Sequence, residues 1–135
     1  MTMQPVGPIP VRAASLAAAY LRGQLAGRPE PYAQGVYVGD DVPSTNRPRS
    51  VVLRRDGGAL DGVFDQPRLN VRVFADNAEQ GEDLAGLVVA LLMLWPAHDP
   101  SVTRVVHMSG PYEVPDETQS LHMALVEATI RVATL

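Results

Sequence analysis

The sequence predicts an α+β fold: a mainly antiparallel β-sheet of about four to five strands, with two helices packed on one face, in a single compact domain. Two segments carry apolar residues at helical spacing, and several others alternate apolar and polar residues with a period of two. Strands follow one another through short turns, as they do in antiparallel sheets. The chain has 135 residues, of which 46% are hydrophobic and 19% charged, which is enough to bury a core.

The N-terminal part predicts an extended arm followed by a helix. Residues 1–10 contain three prolines and no periodicity, so we expect an arm ahead of a single domain at residues 11–135. Residues 11–25 are alanine-rich and predict the first helix, which Gly27 and Pro29 end. The apolar residues near helical spacing are Leu16, Tyr20, Leu21 and Leu25.

The middle of the chain predicts three strands. Two short strands are expected at residues 35–39 and 50–55, with a polar loop between them. An Asp-Gly-Gly turn signal at residues 56–58 ends the second strand, and a loop at residues 59–67 leads into the third strand at residues 68–75. Apolar and mostly polar residues alternate in this third strand, which predicts one buried face.

The second helix has the clearest pattern. Asp76 and Glu79 predict a capping box at its start, and Pro96 is expected to close it. Its apolar stripe, which matches the helical template fully, is Leu84, Leu87, Val88, Leu91, Leu92 and Trp95.

The second half of this helix is apolar around almost its whole circumference, because Val89, Ala90, Met93 and Leu94 fill the sides left by the stripe. A helix that is apolar all round is covered on both sides. The first helix or a neighbouring subunit can supply this cover, and both interpretations stay open. We therefore take Val89, Met93 and Leu94 as candidate interface residues.

The C-terminal part predicts a pair of strands. The fourth strand, at residues 102–114, is interrupted near Gly110-Pro111, and a turn at residues 115–120 leads into a long final strand at residues 121–133. In the final strand, Glu127, Thr129 and Arg131 face away from the apolar side.

Composition excludes several classes of function. There is no cysteine, so no disulfide, thiolate zinc site or cysteine nucleophile is possible. The longest apolar run, Leu87–Leu94, is less than half of the ~18 residues of a membrane span, and we expect neither a signal peptide nor a membrane anchor. The formal net charge of −4 argues against a dedicated binder of duplex DNA.

All 11 basic residues are arginines, and six of them lie on or beside the second and third strands. These six are Arg47, Arg49, Arg54, Arg55, Arg68 and Arg72. A solvated face paired with Glu127, Asp56 and Asp61 accounts for this cluster. A protein interface also accounts for it, because arginine makes planar, bidentate contacts and is enriched at binding hot spots. We therefore take the six arginines as interface candidates.

No catalytic, cofactor-binding or metal-binding constellation stands out. If the last two strands pair, His107 is expected roughly opposite Glu127, and with His122 it forms one candidate polar cluster. A histidine satisfied within a sheet is the commoner outcome. Ser109 lacks the glycine pattern of a nucleophile elbow, and the glycines at 57, 58 and 62 do not precede a helix as a phosphate loop does. We therefore predict no enzyme activity, no cofactor and no metal.

The stretch Arg54–Leu92 carries an ordered set of features. They are Arg54-Arg55, Gly57-Gly58, a variable loop, Asp65, Pro67-Arg68-Leu69, Val71, Phe74-Ala75-Asp76 and an acidic-to-apolar helix. An Ala-Ala-Tyr-Leu-Arg run upstream and the closing strand pair through Gly110-Pro111 fit the same layout. With these features the chain resembles, from about Val11 to Val132, the tail terminator (tail completion) proteins of long-tailed, siphovirus-type phages, particularly those that infect actinobacteria.

This resemblance implies a compact α/β subunit that assembles into a ring, commonly a hexamer. The ring would cap the end of the tail tube, stop tube elongation and provide the docking surface for the head. The implied partners are other copies of the chain, the tail tube protein and the head–tail connector or stopper protein, with no membrane partner. The implied location is the head–tail junction of the virion, and the host cytoplasm during assembly.

Genome DNA would pass through such a ring without sequence-specific binding, and a net acidic ring suits a channel along which DNA slides. Two alternatives stay open. One is a head-completion or stopper connector protein on the portal side. The other is a small ligand-binding or enzymatic α+β domain built on His107, His122 and Glu127.

Overall fold

The computed structural model describes residues 10–43, 45 and 47–132. Apart from Pro10, the arm predicted at residues 1–10 lies outside the described residues, as does the predicted end of the last strand at Ala133. The elements are α1 (Ala13–Ala26), a 3₁₀ turn (Pro31–Ala33), β1 (Tyr37–Gly39), β2 (Arg49–Asp61), β3 (Phe64–Ala75), α2 (Ala78–Met93), α3 (Trp95–His98), β4 (Val102–Val114) and β5 (Ser120–Arg131).

The five strands form one sheet in the order β1-β2-β3-β5-β4. Every neighbouring pair is antiparallel except β1 with β2, which is parallel. The two main helices pack on one face of this sheet, so the predicted α+β class is confirmed. The bounds predicted for β4 are also confirmed.

The hairpin of β2 and β3 is longer than the sequence predicts. The loop expected at residues 59–67 is wrong, because β2 continues to Asp61 and β3 already begins at Phe64. The Asp-Gly-Gly signal at residues 56–58 produces a β-bulge inside the hairpin instead of ending the strand.

The backbone conformation of Gly58 explains why the pairing of β2 with β3 continues past residues 56–58. Gly58 has a φ of +93°, and a Cβ at this position would lie 2.1 Å from the carbonyl oxygen of Gln66. The bulge therefore requires glycine. The chain reverses only at Gly62, which has a φ of +63°.

The ends of α2 also differ from the prediction. The N-cap is Asn77, whose side-chain oxygen accepts a hydrogen bond from the backbone N–H of Gln80 at 2.9 Å, so the capping box predicted from Asp76 is wrong. Asparagine and aspartate are nearly equal as N-caps, so their order in the sequence does not decide between them. Pro96 does not close α2 but lies in the first turn of α3, where proline is tolerated.

The core lies between the helices and the sheet face that they cover. Trp95 is buried and stacks on Tyr20 of α1 with 5.6 Å between the ring centroids. The Tyr20 hydroxyl donates a hydrogen bond to the carbonyl oxygen of Leu91, and burial raises the pKa of this hydroxyl. This contact joins α1 to the C-terminal half of α2.

Candidate functional site

Within the described residues, no helix packs on the second face of the sheet, which we call the open face. Residues paired across neighbouring strands share a face, and side chains alternate along each strand, so the register identifies the open face. It includes Tyr37 of β1; Ser50, Val52 and Arg54 of β2; Phe64, Arg68, Asn70, Arg72 and Phe74 of β3; Leu121, Met123, Leu125, Glu127, Thr129 and Arg131 of β5; and Arg104, Val106, Ser109, Tyr112 and Val114 of β4.

The open face carries an excess of positive charge. Its strand arginines are Arg54, Arg68, Arg72, Arg104 and Arg131. Glu127 lies 3.5 Å from Arg68, and Asp41 of the loop after β1 lies 3.5 Å from Arg54. Asp61 adds one carboxylate at the tip of the hairpin. Both ion pairs are long and exposed, so they contribute little stability.

An apolar strip runs beside these arginines. Val106, Met123 and Leu125 are only half-buried, and the Tyr112 side chain beside them is 51% exposed. A sheet face that meets water normally alternates with polar residues, whereas β5 presents apolar residues to both faces along much of its length. Tyrosine, methionine and arginine side chains of this kind are enriched in interface cores.

The structure divides the six arginines predicted as interface candidates into two groups. Arg54, Arg68 and Arg72 lie on the open face. Arg47 lies at the β1 edge of this face, with its guanidinium carbon 6.0 Å from the centre of the Tyr37 ring. These four arginines remain candidates for contacting a partner.

Arg49 and Arg55 are engaged within the subunit. Arg49 donates two hydrogen bonds, of 3.1 and 2.7 Å, to the carbonyl oxygen of Gln34. Arg55 lies on the opposite face from Arg54 and donates two hydrogen bonds of 2.6 Å to the two carboxylate oxygens of Asp65. These contacts give both side chains structural roles.

The Arg55–Asp65 pair fastens the start of α1 to the hairpin. The Asp65 side chain is fully buried and also accepts a hydrogen bond from the backbone N–H of Val11 at 3.1 Å. Burial alone would raise the pKa of Asp65, but the hydrogen bonds from Arg55 and Val11 outweigh it and lower that pKa below its ordinary value. The carboxylate therefore remains charged in the folded protein.

The solvent side of α2 forms a second surface, which we call the α2 ridge. It consists of the exposed residues Glu79, Glu82, Asp83, Gly86, Ala90, Met93 and Leu94. Met93 is 41% exposed and Leu94 is 54% exposed, so the subunit leaves both open at this ridge. Val89 is only 8% exposed and belongs to the core, so it is corrected from an interface candidate to a packing residue.

The predicted cluster of His107, His122 and Glu127 is wrong. Glu127 pairs with Val106, and His107 pairs with Val126, so His107 and Glu127 project from opposite faces of the sheet. Bulges in β4 shift the register that a simple hairpin would give.

His122 is buried beneath the first turns of α2. A Cβ at Gly81 would lie 2.7 Å from His122 Nδ1, so the helix and the imidazole are in close contact. Among the described residues, His122 Nδ1, Ser120 Oγ and Gln80 Oε1 are buried without a hydrogen-bond partner. His122 therefore belongs to the covered side of the sheet, away from Glu127.

A groove of about 290 Å³ lies at one end of the open face, between the loop after β1 and the turn before β5. Its lining includes Val42, Arg47, Ser50, Phe74 and Gln119. In residues 10–43, 45 and 47–132, no group of three His, Cys, Asp or Glu side chains is placed to hold a metal ion. The described surface offers shape and charge rather than an assembled acid–base or nucleophilic centre.

Neither edge of the sheet is a good template for an added strand. At one edge β1 has only three residues. At the other edge β4 has three register shifts, and Gly110 of this strand has a φ of +80°. Bulges of this kind and a proline protect an edge from pairing. The open face is therefore better suited than either edge to a broad contact with another molecule.

Sequence reasoning did not include Arg104, Arg131 and Tyr112 among the interface candidates, although it placed Arg131 on the same side of β5 as Glu127. The alternation of Glu127, Thr129 and Arg131 in β5 is a sufficient signal for Arg131. The placement of Arg104 and Tyr112 depends on the register across the β4 bulges, which no sequence pattern gives.

The fold and its open face define a two-layer α+β domain with one uncovered sheet surface. The chain matches no protein-family model, and no curated protein sequence is significantly similar to it. In the part of the chain that the structure describes, no helix is long and apolar enough to cross a membrane.

Proposed function

We propose that this protein is a phage virion assembly protein whose copies form a ring, commonly a hexamer in the family it resembles, that caps the end of the tail tube. The observation that carries the proposal is the open face, where the exposed Tyr112 and the half-buried Met123 and Leu125 lie among uncompensated arginines. Such a surface indicates a contact with another protein. The resemblance to tail terminator proteins supplies the identity of the assembly.

The size of the open face suits this role. The four long strands β2, β3, β5 and β4 span three gaps of about 4.8 Å, and the 12 residues of β5 extend about 3.4 Å each, which gives a flat area of roughly 600 Å². An interface of ordinary size buries about 800 Å² on each partner. The open face is therefore large enough to supply most of one such interface.

The proposed mechanism is steric. Docking of the ring on the tube removes the surface on which the next ring of tube protein would assemble, and it presents a new surface to the head–tail connector. No bond is made or broken, so the chain needs no catalytic residue or cofactor. Genome DNA passes through the ring, and the net charge of −4 per subunit limits its adhesion.

Deletion of the gene in the phage that encodes it tests this function. We expect overlong, headless tubes beside filled, tailless heads, and a plasmid copy of the gene should restore tails of normal length. Tails of normal length in the deletion strain would reject the proposal.

A head-completion or stopper connector protein is the alternative that the open face also supports, because that role needs the same kind of contact. The deletion separates the two functions. Loss of a stopper leaves tails of normal length and heads that release their DNA. The enzymatic alternative has lost its candidate cluster, because His107 and Glu127 lie on opposite faces.

A further inference from the structure

We propose that copies of this chain associate head to tail, with the α2 ridge of one copy lying across the open face of the next. This inference rests on the proposed function, because it names the two surfaces through which a ring would form. The occupant of the open face is thus a second copy of the same chain.

Charge complementarity is the first argument. The ridge carries Glu79, Glu82 and Asp83 on its N-terminal half, and α2 contains no basic residue. Within the described residues, none of these carboxylates forms an ion pair. The open face carries the opposite charge, with Arg68 and Arg104 near one end of it. Contact between the two surfaces pairs the ridge carboxylates with Arg104, which has no ion pair among the described residues, and with Arg68, which has one long pair with Glu127.

The distance between the charged and the apolar residues is also similar on the α2 ridge and on the open face. On α2, the distance from Glu79 or Glu82 to Met93 is about 16–21 Å at about 1.5 Å per residue. On the sheet, the step from the row of Arg104 and Thr129 to the row of Met123 is six residues of β5, or about 20 Å at about 3.4 Å per residue. An α2 helix laid along the open face therefore places Glu79 and Glu82 near Arg104 and its Met93 on Met123, in the row that also holds Arg72.

The middle of the ridge permits a close approach of this kind. Gly86 and Ala90 lie between the acidic and the apolar ends, and a Cβ at Gly86 would meet nothing within 4 Å. Small residues at this point let a helix backbone approach the side chains of a sheet. The exposed part of α2 thus changes from charged to small to apolar along its length.

Like-to-like contacts are disfavoured by the same charges. Two open faces in contact would oppose arginines, and two ridges would oppose carboxylates. The favourable contact joins two different surfaces, which is a heterologous interface. Repetition of such an interface produces a closed ring or an open filament, not a two-fold dimer.

The test uses paired charge reversals in the full chain, measured by sedimentation velocity from 1 to 200 µM. The face variant is Arg68→Glu with Arg104→Glu, and the ridge variant is Glu82→Arg with Asp83→Arg. All four side chains are exposed. The matched controls are Arg12→Glu and Glu117→Arg, which reverse exposed charges outside both surfaces. The thermal unfolding midpoint of each variant verifies that it is folded.

We expect the wild-type chain to form a closed oligomer and each reversal to weaken assembly at least tenfold, while the controls assemble like the wild type. An equimolar mixture of the face and ridge variants should assemble again, because each supplies the surface that the other lacks. A chain that carries all four substitutions should also assemble. Raising NaCl from 50 to 500 mM should weaken the wild-type assembly.

Several results would overturn the inference. If the wild-type chain assembles and neither reversal weakens it, the two surfaces are not the contact, although the ring function stands. If both variants fail and their mixture also fails, the surfaces do not face one another. A wild-type chain that stays monomeric throughout the range also overturns the inference, whereas tail length in the deletion strain decides the proposed function separately.

A nucleic acid is the competing occupant of the basic face. Fluorescence anisotropy with a labelled 20-base-pair duplex measures it directly. If the face variant loses duplex binding but keeps wild-type self-association, the open face binds DNA and the inference is wrong. We expect weak duplex binding by the wild-type chain and full loss of assembly in the face variant.

Discussion

The two faces of the sheet differ in how they satisfy the side chains that they carry. On the covered face, Leu53, Val71 and Val126 are buried under the helices, and the buried carboxylate of Asp65 is held there by a bidentate contact with Arg55. On the open face, Leu125 and Met123 are half-buried and most arginines have no close carboxylate within the described residues. The covered face is packed within one chain, whereas the open face leaves arginine and apolar side chains in contact with solvent.

The adjacent residues Arg54 and Arg55 illustrate the difference between the open face and the covered face. Arg55 reaches a fully buried carboxylate at 2.6 Å, whereas Arg54 reaches an exposed one at 3.5 Å. Their residue types and their places in the sequence are nearly identical. Only the alternation of the strand separates a structural arginine from one available to a partner.

Removal of the buried ion pair should have the largest effect on stability. Arg55→Ala leaves Asp65 charged, buried and unpaired, and we expect it to lower the free energy of unfolding by about 3–5 kcal/mol. Arg68→Ala, the control on the open face, should cost less than about 1 kcal/mol. Urea titration measures the free energy of unfolding of both variants. Equal decreases in the two variants would contradict the difference between the two faces.

Neighbouring core and surface residues of β5 provide the next comparison. Val126→Ala should lower the free energy of unfolding by about 2 kcal/mol, because it removes two buried methyl groups and leaves a cavity. Leu125→Ala removes more atoms, but it should cost less than Val126→Ala in the monomer, because Leu125 is partly exposed. A larger loss for Leu125→Ala at monomeric concentration would show that the open face is packed within the subunit.

Two glycines of α2 provide a similar comparison, because Gly81 is buried against the sheet and Gly86 is exposed on the ridge. A Cβ at Gly81 would lie 2.7 Å from His122 Nδ1, so Gly81→Ala should cost about 1 kcal/mol after the gain in helix propensity. Gly86→Ala, on the ridge, should stabilise the monomer by about 0.5–1 kcal/mol. Thermal unfolding of both variants gives the sign, and a stabilising Gly81→Ala would contradict the close contact.

A smaller and more gradual effect is expected on acidification. Because the pKa of Asp65 is lower in the folded than in the unfolded protein, its contribution to stability is complete above the unfolded value of about 3.9. It is lost as the pH falls below that value. Urea titration between pH 6 and 2.5 should show this loss in the wild type and a weaker one in Asp65→Asn. The same slope in both proteins would exclude Asp65 as its source.

The sequence predicts the helix layer and the sheet layer well, because helical spacing and period-two alternation of apolar residues are visible in the sequence. The apolar stripe of α2 and the alternation in β3 and β5 follow from which positions face the core, and the structure has them there. The extent of the β2–β3 hairpin could not be predicted, because Asp-Gly-Gly suits a turn and a bulge equally well. The outcome depends on the pairing of Gly58 with Pro67, a tertiary contact.

The candidate site was predicted in part. Period two places Arg68 and Arg72 on one face of β3, and the pairing of β2 with β3 adds Arg54. The excess of apolar residues on α2 indicates Met93 and Leu94, together with Val89, which the structure buries. The partners of Arg49 and Arg55 are a backbone carbonyl and a buried carboxylate, at Gln34 and Asp65, and no local pattern reveals them. Long-range partners decide which arginines are free.

The most direct test of the central claim, that the open face is a contact surface between copies, is sedimentation velocity of Leu125→Asp beside the wild type. Leu125 lies near the middle of the open face and is partly exposed in the single chain. The account predicts a closed wild-type oligomer and a Leu125→Asp chain that is folded by thermal unfolding and remains monomeric. Equal assembly of the two proteins, or a wild-type chain that is monomeric at every concentration, would contradict it.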